Sequence, residues 1–429
     1  MPDLCNYLQE KYQIDTKLCD LARQAEQKAK SEFEQIEETT KINQARVLNA
    51  FREARISEYH LRDGNGYGYG DPGREGLEEV YALTFGTEAA LVRAQIISGT
   101  HAISLALASM LKPGDLLLSV TGTPYDTLAK IIGSSKAEGR SLCGQGILYK
   151  EASLTEEGRL NYDEIKELLT ENPRAVLIQR SRGYSWRPAL SVQEIDNLIK
   201  FIKDIDSNII CFVDNCYGEF VEEKEPTHVG ADFMAGSLIK NPGGGLAPSG
   251  GYLVGKKDLV IQAADRLVAP GLGQRMGTNL GLGPLFYQGF FQSPHTVAEA
   301  LKGALFAAYF LSILGFETSP APGSQRSDIV QAIKLNDPEG VKAFCRGIQK
   351  ASPVDSQAVP VASNLPGYQD KVIMAGGTFV QGSSIELTAD APMRPPYIVY
   401  LQGCLSYAHA VIGIMQAVQE LTNKGLITW

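Results

Sequence analysis

The sequence predicts an α/β protein in which a large domain with a mostly parallel sheet precedes a smaller α+β domain. Two observations lead to this prediction. Between about residues 89 and 214, short apolar segments alternate with segments whose apolar residues recur at the helical period. This alternation is typical of the strand–helix units of parallel sheets. After about residue 315 the order changes to strand–helix–strand, which is typical of a separate α+β region.

The composition is that of an ordinary globular protein long enough for two domains. The chain has 429 residues, of which 44% are hydrophobic and 21% are charged. This length is too great for one small core and suits two domains, or one large domain with a smaller companion. The net charge of −9, without a basic cluster, argues against a nucleic-acid partner. No apolar stretch is long enough to predict a membrane span, and the charged N-terminus does not resemble a signal peptide.

The cysteines and histidines predict neither a disulfide framework nor a metal site. Seven cysteines and five histidines are dispersed along the chain without Cys-x-x-Cys or Cys/His ligand spacing. Scattered free cysteines are typical of proteins from a reducing compartment. We therefore expect a cytoplasmic protein without a bound metal.

The pattern divides the chain into three regions: an N-terminal helical arm over 1–60, the large α/β domain over 61–300, and the small domain over 301–429. In the arm, apolar residues at the helical period predict a helix that packs on another element or subunit. Those residues are Leu18, Leu21, Ala25 and Ala29. The segment 63–74 contains five glycines and a proline, so we expect a loop there, with Tyr67, Tyr69 and Arg74 as its notable side chains.

The elements of the large domain follow from their apolar runs. We expect strands at 89–94, 116–120, 147–149, 175–179, 209–214 and 251–255. We expect helices over 76–85, from the Ser-Gly-Thr turn at 98–100 onward, over 162–169 and over 192–204. Ligands of open parallel sheets bind at the carboxyl ends of the strands. The side chains that follow those ends are therefore candidates for one crevice.

The elements of the small domain are predicted in the same way. We expect strands at 316–318, 371–374 and 384–388, a helix over 338–351, and a last helix over about 398–421. A proline-rich loop over 389–396 carries Arg394.

Lys240 lies on a predicted turn, because a proline and three glycines follow it closely. Pro242 ends any regular element because it lacks an N–H group, and three glycines follow it. A lysine in this place is either a solvated side chain before a loop or an amine that forms a Schiff base with a carbonyl compound. The lysine alone does not decide between these interpretations, so its neighbours must.

Four side chains meet requirements of pyridoxal phosphate (PLP). Besides a phosphate site, this cofactor needs an amine, an acid on its pyridine nitrogen and a group on its ring face. Lys240 offers the amine, and Asp214, at a predicted strand end, offers the acid. Tyr125 offers a ring for stacking, and Tyr217 is placed to reach the phenolic oxygen of PLP. Beside a protonated ring in a desolvated pocket, we expect the pKa of Lys240 to fall.

A phosphate site is predicted at the start of the helix that follows the first strand. Ser98, Gly99 and Thr100 begin that helix, and helix N-termini with free N–H groups bind anions. Ser237, three residues before the lysine, adds a hydroxyl group. Because many helices begin with Ser or Thr, this signal is weak by itself.

Several segments together resemble the fold-type-I PLP-dependent enzymes, and more narrowly the methionine γ-lyase-related family known as aluminium-resistance proteins or candidate cystathionine β-lyases. The shared Asp-x-x-Tyr and Ser-x-x-Lys patterns are general, whereas the Lys-Asn-Pro-Gly-Gly-Gly block is specific. The resemblance covers about residues 64–402. The segments that carry it are Gly68–Glu75, Ser98–His101, Gly122–Leu128, Val213–Phe220, Gly236–Gly245 and Ser384–Asp390.

The resemblance also implies which residues bind the substrate. Arg394 is the expected clamp for the substrate α-carboxylate, with Arg180 and Arg182 as alternatives. Tyr69 and Arg74 are the nearest counterparts of a Tyr-x-Arg pair that a neighbouring subunit supplies in the better-known cystathionine enzymes, although here they are five residues apart.

The resemblance implies a PLP-dependent carbon–sulfur lyase that acts on a sulfur-containing amino acid by β- or γ-elimination. Lys240, Asp214 and Tyr125 are the expected catalytic residues. An aminotransferase, or a PLP-binding protein with little turnover that is linked to metal tolerance, are the alternatives, since the fold does not determine the reaction. We expect a homodimer or homotetramer with shared active sites, and neither a nucleic-acid nor a membrane partner.

Overall fold

The computed structural model describes residues 4–62, 64–68, 70–134 and 139–427. Contacts within the chain divide it into two compact units. The first, called the core unit, comprises residues 41–294, and the second, called the composite unit, comprises residues 1–40 and 295–429. The composite unit therefore joins the beginning of the chain to the C-terminal region.

The described elements alternate between helix and strand over most of the chain. The first ones are α1 (Leu4–Tyr12), α2 (Thr16–Glu53), α3 (Pro72–Phe85), β1 (Ala89–Arg93), α4 (Gly99–Met110), β2 (Leu116–Ser119), α5 (Asp126–Ile132), β3 (Leu148–Glu151), α6 (Tyr162–Leu169), β4 (Ala175–Gln179), α7 (Val192–Ile205) and β5 (Ile210–Asp214). The later ones are β6 (Phe233–Ser237), β7 (Gly251–Gly255), α8 (Lys257–Leu267), α9 (Gly283–Ile313), β8 (Glu317–Ser319), β9 (Val330–Lys334), α10 (Pro338–Lys350), β10 (Val372–Ala375), β11 (Thr388–Pro392), β12 (Ile398–Gln402) and α11 (Tyr407–Asn423).

The core unit contains a seven-stranded sheet in the order β1-β7-β6-β5-β4-β2-β3. The strands from β2 to β6 pair in parallel, and β7 is antiparallel to both of its neighbours. Strands β4, β5 and β6 are buried at every residue, as expected when helices cover both faces of a parallel sheet. The predicted fold class is confirmed.

The centre of this sheet places two of the predicted site residues at one edge. Asp214 is the last residue of β5 and Ser237 is the last residue of β6, and these strands are parallel neighbours. Because parallel strands share a carboxyl edge, the two side chains and the turn after β6 lie at the same end of the sheet.

The loop predicted over 63–74 is shorter at its C-terminal end than we expected. Asp71 caps α3 by accepting a hydrogen bond from the Arg74 N–H group at 3.1 Å, and Pro72 occupies the first turn of the helix. This pair is a favourable helix start because proline has no N–H group to satisfy there. Arg74 therefore lies on a helix and not in the loop.

The composite unit contains a five-stranded antiparallel sheet in the order β10-β11-β12-β9-β8. Two predictions were wrong here. The strand expected at 384–388 lies at Thr388–Pro392, and Ile398–Gln402 forms strand β12 and not the start of the last helix. The reason for the second error is that β12 pairs on both sides, with β9 and β11, and long-range pairing leaves no periodic signal in the sequence.

The first part of α2 packs within the composite unit through polar and aromatic contacts. The Tyr309 hydroxyl donates a hydrogen bond to Glu32 at 2.8 Å, and the Tyr407 hydroxyl donates one to Glu26 at 2.9 Å. Helix α9 is long and apolar enough to span a membrane by length and composition, but 72% of its apolar window is buried in the protein. A core helix meets the same criterion.

Candidate active site

Lys240 follows β6 at the start of a tight turn over Asn241–Gly243. Its backbone has φ −116° and ψ −148°, outside the helical and strand regions. A methyl group added at Gly243 would overlap the carbonyl oxygen of Leu238. The turn is therefore compact because glycine follows Pro242, and it fixes the backbone from which the lysine side chain extends.

Gly243→Ala is expected to lower the free energy of unfolding by about 3 kcal/mol, the upper end of the cost of overpacking. The added carbon meets backbone and not a flexible side chain, so the turn must move. Urea denaturation measures the change. Gly70→Ala is the matched control because a carbon there meets open space, and it should change stability by less than about 1 kcal/mol. Equal effects of both variants would contradict the described packing.

The Lys240 amine lies against the ring of Tyr217. The distance from Lys240 Nζ to the ring centroid is 3.9 Å, which is the geometry of a cation–π contact. Tyr217 has a φ of +73°, in a region that non-glycine residues adopt at a cost and often near functional sites. The turn after β5 thus brings Tyr217 to the amine; its predicted role at the phenolic oxygen of PLP stays a prediction.

Asp214 is buried, and its carboxylate is oriented by two neighbours. Its Oδ1 accepts a hydrogen bond from the Cys216 N–H group at 3.1 Å, and the Tyr125 hydroxyl forms a second hydrogen bond to its side chain. Burial raises the pKa of Asp214, while the positive charge of Lys240 and these hydrogen bonds oppose the rise. The structure therefore brings Tyr125, Asp214 and Lys240 together.

The electrostatics of Lys240 set by the chain's own residues raise its pKa; the lowered pKa expected beside a protonated ring stays a prediction. Burial, the strongest influence, does lower the pKa of the ammonium group, but the negative charge of Cys216, Tyr217, Asp214 and Glu219 outweighs it, and the net pKa is raised. Burial also raises the pKa of the Cys216 thiol well above its usual value. Burial likewise raises the pKa of the Asp214 and Glu219 carboxyl groups, that of Glu219 to about 8.

The predicted phosphate site lies at the N-terminus of α4. The Ser98 side chain caps this helix by accepting the His101 N–H group at 3.1 Å, so the N–H groups of Gly99 and Thr100 remain as donors. A methyl group at Gly99 would come within 3.1 Å of both Ser237 Cβ and Cys216 Sγ. Helix α4, strand β6 and the turn after β5 therefore meet at Gly99.

These residues fit a phosphate group. Ser237 is 1% exposed, and its Oγ has no hydrogen-bond partner within the described ranges. A buried hydroxyl without a partner is costly unless a ligand completes it. Beside the N-terminus of a 12-residue helix, which favours anions, the natural partner is a phosphate oxygen.

Comparison with known proteins agrees with this geometry. The sequence pattern of the family described as methionine gamma-lyase matches residues 18–422. The chain belongs to the methionine gamma-lyase family. Over 394 aligned residues it is 50% identical to the uncharacterized protein YnbB of Bacillus subtilis (strain 168). The alignment covers 92% of this chain and 94% of that protein. The predicted family resemblance is confirmed.

Solved structures related to this methionine gamma-lyase family member share its fold. A carbon-sulfur lyase involved in aluminum resistance from Clostridium novyi NT is 47% identical, with a TM-score of 0.93 over 98% of this chain and 100% of that one. A candidate cystathionine beta-lyase involved in aluminum resistance from Clostridium acetobutylicum is also 47% identical, with a TM-score of 0.94 over 98% and 99%. Cystathionine gamma synthase from Xanthomonas oryzae pv. oryzae, at 17% identity over 82% of this chain and 87% of that one, shares the fold with a TM-score of 0.57.

Of the three residues predicted to bind substrate, Arg74 alone lies among the described residues of the core unit. Arg74 is fully buried on α3, and its Nη1 donates to the Gly277 carbonyl at 3.0 Å, so it is not a loop side chain available to another subunit. Arg394 belongs to the composite unit, where Nη1 lies 2.9 Å from Asp370. Tyr69 lies outside the described residues. Within the described ranges, no group of three or more His, Cys, Asp or Glu side chains is arranged to hold a metal ion.

Arg180, which we considered for the substrate carboxylate, instead holds the turn after β5 in place. It is fully buried, and its Nη1 donates to Asn215 Oδ1 at 2.8 Å and to the Gly218 carbonyl at 2.9 Å. Its Nη2 lies 2.7 Å from Glu222. The guanidinium group therefore supports the backbone that carries Asp214.

Arg180→Ala is expected to lower the free energy of unfolding by about 3–5 kcal/mol, because it leaves buried acidic partners without their cation. Arg159→Ala is the control, since Arg159 forms an exposed pair with Glu194 at 2.9 Å and exposed pairs contribute at most about 1 kcal/mol. Urea denaturation of the two variants measures the difference. A loss below about 1 kcal/mol for Arg180→Ala would contradict its structural role.

Sequence reasoning missed Glu219 and Cys216 as members of the site. Both lie in the Val213–Phe220 segment that carried the resemblance, and both are buried. The signal was a second acidic residue, five positions after Asp214, in the segment that follows an apolar strand. That signal was visible, but the turn geometry that buries these side chains near Lys240 was not.

Proposed function

We propose that this protein is a PLP-dependent carbon–sulfur lyase that eliminates a thiol from a sulfur-containing amino acid. The observation that carries the proposal is the convergence of Lys240, Asp214 and the N-terminus of α4 at one edge of the sheet. Family membership supports the same reaction class, and the solved relatives from Clostridium carry lyase names.

In this proposal the chain's own residues hold PLP at both of its ends. Lys240 would hold PLP through its aldehyde carbon, and Asp214 would stabilise the protonated pyridine nitrogen. The Gly99 and Thr100 N–H groups and the Ser237 hydroxyl bind the phosphate. When bound, PLP supplies an electron sink for the charge that develops at the substrate Cα. Tyr125 would contact the face of the ring, and its hydrogen bond to Asp214 orients that carboxylate.

The role of Lys240 then depends on its proton. Only the neutral amine takes the Cα proton of a bound amino acid, and the raised pKa of Lys240 shows that its acidic neighbours favour the charged form. A positive group next to Nζ would lower the pKa of the amine, as would loss of a carboxylate. Arg394 is proposed to bind the α-carboxylate, because a bidentate arginine orients the Cα–H bond for this transfer.

Purified protein loaded with PLP and then screened against cystathionine, methionine and cysteine tests the proposal. Release of a 2-oxo acid with ammonia and a thiol is the expected result. A requirement for a 2-oxo acid acceptor would instead identify an aminotransferase. Bound PLP with no turnover on any of these amino acids would favour the binding-protein alternative.

We further propose that a second copy of the chain completes the site. Large apolar side chains of the core unit are exposed, among them Tyr67 at 67%, Ile97 at 69% and Leu280 at 65%. Exposed apolar patches of this kind are typical of interfaces. The segment that carries Tyr67 is joined to the residues before α9 by a hydrogen bond from Gly68 N–H to the Arg275 carbonyl at 3.0 Å.

We expect light scattering to show a dimer or tetramer. Closed symmetry in such an assembly would make its shared sites equivalent. Mixing an inactive Lys240→Ala subunit with an inactive Tyr67→Ala subunit should restore activity in hybrid assemblies. Tyr67 is the suitable partner residue since Arg74 is buried in its own chain. An active monomer, or no recovery despite proven subunit exchange, would contradict the shared site.

A further inference from the structure

Gln179 is a buried side chain at the edge of the core-unit sheet to which the proposed reaction gives no role. It is the last residue of β4 and is 6% exposed. In the parallel pairing of β4 with β5, its Cα partner is Asp214. The two side chains therefore leave neighbouring strands at the same level of the carboxyl edge, where ligands of parallel sheets bind.

The side-chain amide of Gln179 joins main-chain groups from two different segments. Its Oε1 accepts a hydrogen bond from the Tyr125 N–H group at 3.3 Å, and its Nε2 donates one to the Ser181 carbonyl at 2.9 Å. A main-chain N–H group only donates and a carbonyl only accepts, so these partners fix which way round the amide lies. Gln179 thus joins the start of α5, where Tyr125 is the N-cap residue, to the chain that follows β4.

The main chain of Gln179 is itself held by two side chains. Its N–H group donates to Thr121 Oγ1 at 3.1 Å, and its carbonyl accepts a hydrogen bond from Arg187 Nη2 at 2.9 Å. Arg187 Nη2 also donates to the Ser181 carbonyl at 2.6 Å, which is the carbonyl that the Gln179 amide contacts. The amide oxygen therefore faces Tyr125 from a fixed position.

Gly183 closes the other side of this contact. A methyl group added there would come within 3.3 Å of Gln179 Nε2 and within 3.4 Å of Tyr125 Cβ. Gly183 has a φ of +59°, which glycine adopts at little cost. The loop after β4 therefore packs against both residues and leaves little room for either of them to move.

Tyr125 is thus held at both of its ends by the last residues of two neighbouring strands. Gln179 of β4 binds its main-chain N–H group, and Asp214 of β5 accepts a hydrogen bond from its hydroxyl group. In the proposed function the phenol ring between these two points contacts the face of PLP. Because the stability of an aromatic stack depends on the offset and tilt of the rings, losing one of the two contacts would weaken the stack without removing the ring.

We propose that Gln179 is a positioning residue that acts through Tyr125, because its amide sets the main-chain position from which the Tyr125 ring reaches the face of PLP. The inference rests on the proposed function in taking Tyr125 as the residue at the ring face. A change at Gln179 then weakens PLP binding only while the Tyr125 ring is present. A residue that merely stabilises the fold would affect PLP binding with or without that ring.

Hydrogen exchange in the full-length chain without added PLP tests the contact itself. The exchange rate of the Tyr125 N–H group is measured by mass spectrometry with fragmentation of its peptide. Gln179→Met, which keeps a side chain of similar length but removes the acceptor oxygen, should raise this rate about two- to tenfold, the range to which the net contribution of one hydrogen bond corresponds. Gln193→Met is the matched control, since Gln193 is exposed on α7, and it should leave the rate unchanged. An unchanged rate in Gln179→Met would overturn the inference.

A double-mutant cycle on PLP affinity tests the route through Tyr125. The dissociation constant of PLP is measured by titration for the wild type, Gln179→Met, Tyr125→Ala and the double variant. Gln179→Met should weaken PLP binding about two- to tenfold when the Tyr125 ring is present, the range to which one aromatic contact corresponds. In the Tyr125→Ala background it should change the affinity by less than about twofold, because no ring remains to be positioned. Equal weakening in both backgrounds would overturn the inference and leave Gln179 a structural role only.

The outcomes separate this inference from the proposed function. If borohydride fixes PLP to Lys240 but the cycle shows no coupling between Gln179 and Tyr125, the positioning role is refuted and the proposed function stands. If the coupling is found but no amino acid is turned over, the positioning role is supported and the proposed lyase fails. Should Gln179→Met not fold, Gln179→Ser, whose side chain is too short to reach the Tyr125 N–H group, replaces it with the same expected and contradicting results.

Discussion

Lys240→Ala is expected to lower the elimination rate by about 10²–10⁴-fold, the contribution of a positioned general base. Alanine removes the amine that the structure places 3.9 Å from the Tyr217 ring centroid, while the turn after β6 is fixed by Gly243 and not by the lysine. The variant should therefore fold normally. Release of the 2-oxo acid product, with PLP in excess, measures the loss.

Lys256→Ala is the matched control for this variant. Lys256 lies in the same unit, and its side chain is 54% exposed. Its partner Asp232 also pairs with Lys203 at 2.7 Å, so removing Lys256 should leave the elimination rate within about twofold of wild type. Retention of most activity in Lys240→Ala would contradict the assignment of Lys240 as the reactive amine.

Asp214→Asn is expected to lower kcat by about 10²–10³-fold, the effect of removing one oriented electrostatic group from an active site. The amide oxygen still accepts the Cys216 N–H group, which lies 3.1 Å from Asp214 Oδ1, so the turn should keep its shape. What the amide lacks is the negative charge that stabilises a protonated pyridine nitrogen. The ratio of kcat to bound PLP separates slow turnover from poor cofactor retention.

Asp204→Asn, the same change at an exposed position in the core unit, is the control and should behave as wild type. Near-normal kcat in Asp214→Asn, with an unchanged visible spectrum, would contradict the proposed role of Asp214. Loss of folding would be recognised by urea denaturation and would not count as a catalytic effect.

The parallel sheet was predictable because its strands are short, uniformly apolar runs between amphipathic helices. Strands β4 and β5 lie at or within one residue of the predicted positions. Strand β6, which carries Ser237 before the Lys240 turn, was not predicted as a strand. Its sequence Phe-Met-Ala-Gly-Ser is short and ends in small residues, and burial between β5 and β7 decides its conformation.

The C-terminal elements were less predictable for a related reason. Ile398–Gln402 continues into the apolar residues of α11 without a proline or a clear period change, so sequence patterning favoured one long helix. Pairing with β9 and β11 makes it a strand. β-Branched and aromatic residues in this segment agree with that outcome, but such preferences depend on context.

The candidate site was predictable where adjacent strand ends supply the residues. Asp214, Ser237 and Lys240 belong to neighbouring strands or the turn that follows, so the topology alone brings them together. Glu219 was not predictable, because its burial depends on the left-handed backbone of Tyr217 at φ +73°. The substrate-binding roles of Arg394 and Tyr69 stay predictions.

Reduction of the PLP-loaded protein with borohydride, followed by peptide mapping, tests the central claim most directly. The reaction fixes PLP to the lysine that binds it, independently of which substrate the enzyme uses. We predict a single labelled peptide that contains Lys240, and no labelled peptide in Lys240→Ala. Label on a different lysine, or no label in wild type despite excess PLP, would contradict the proposal.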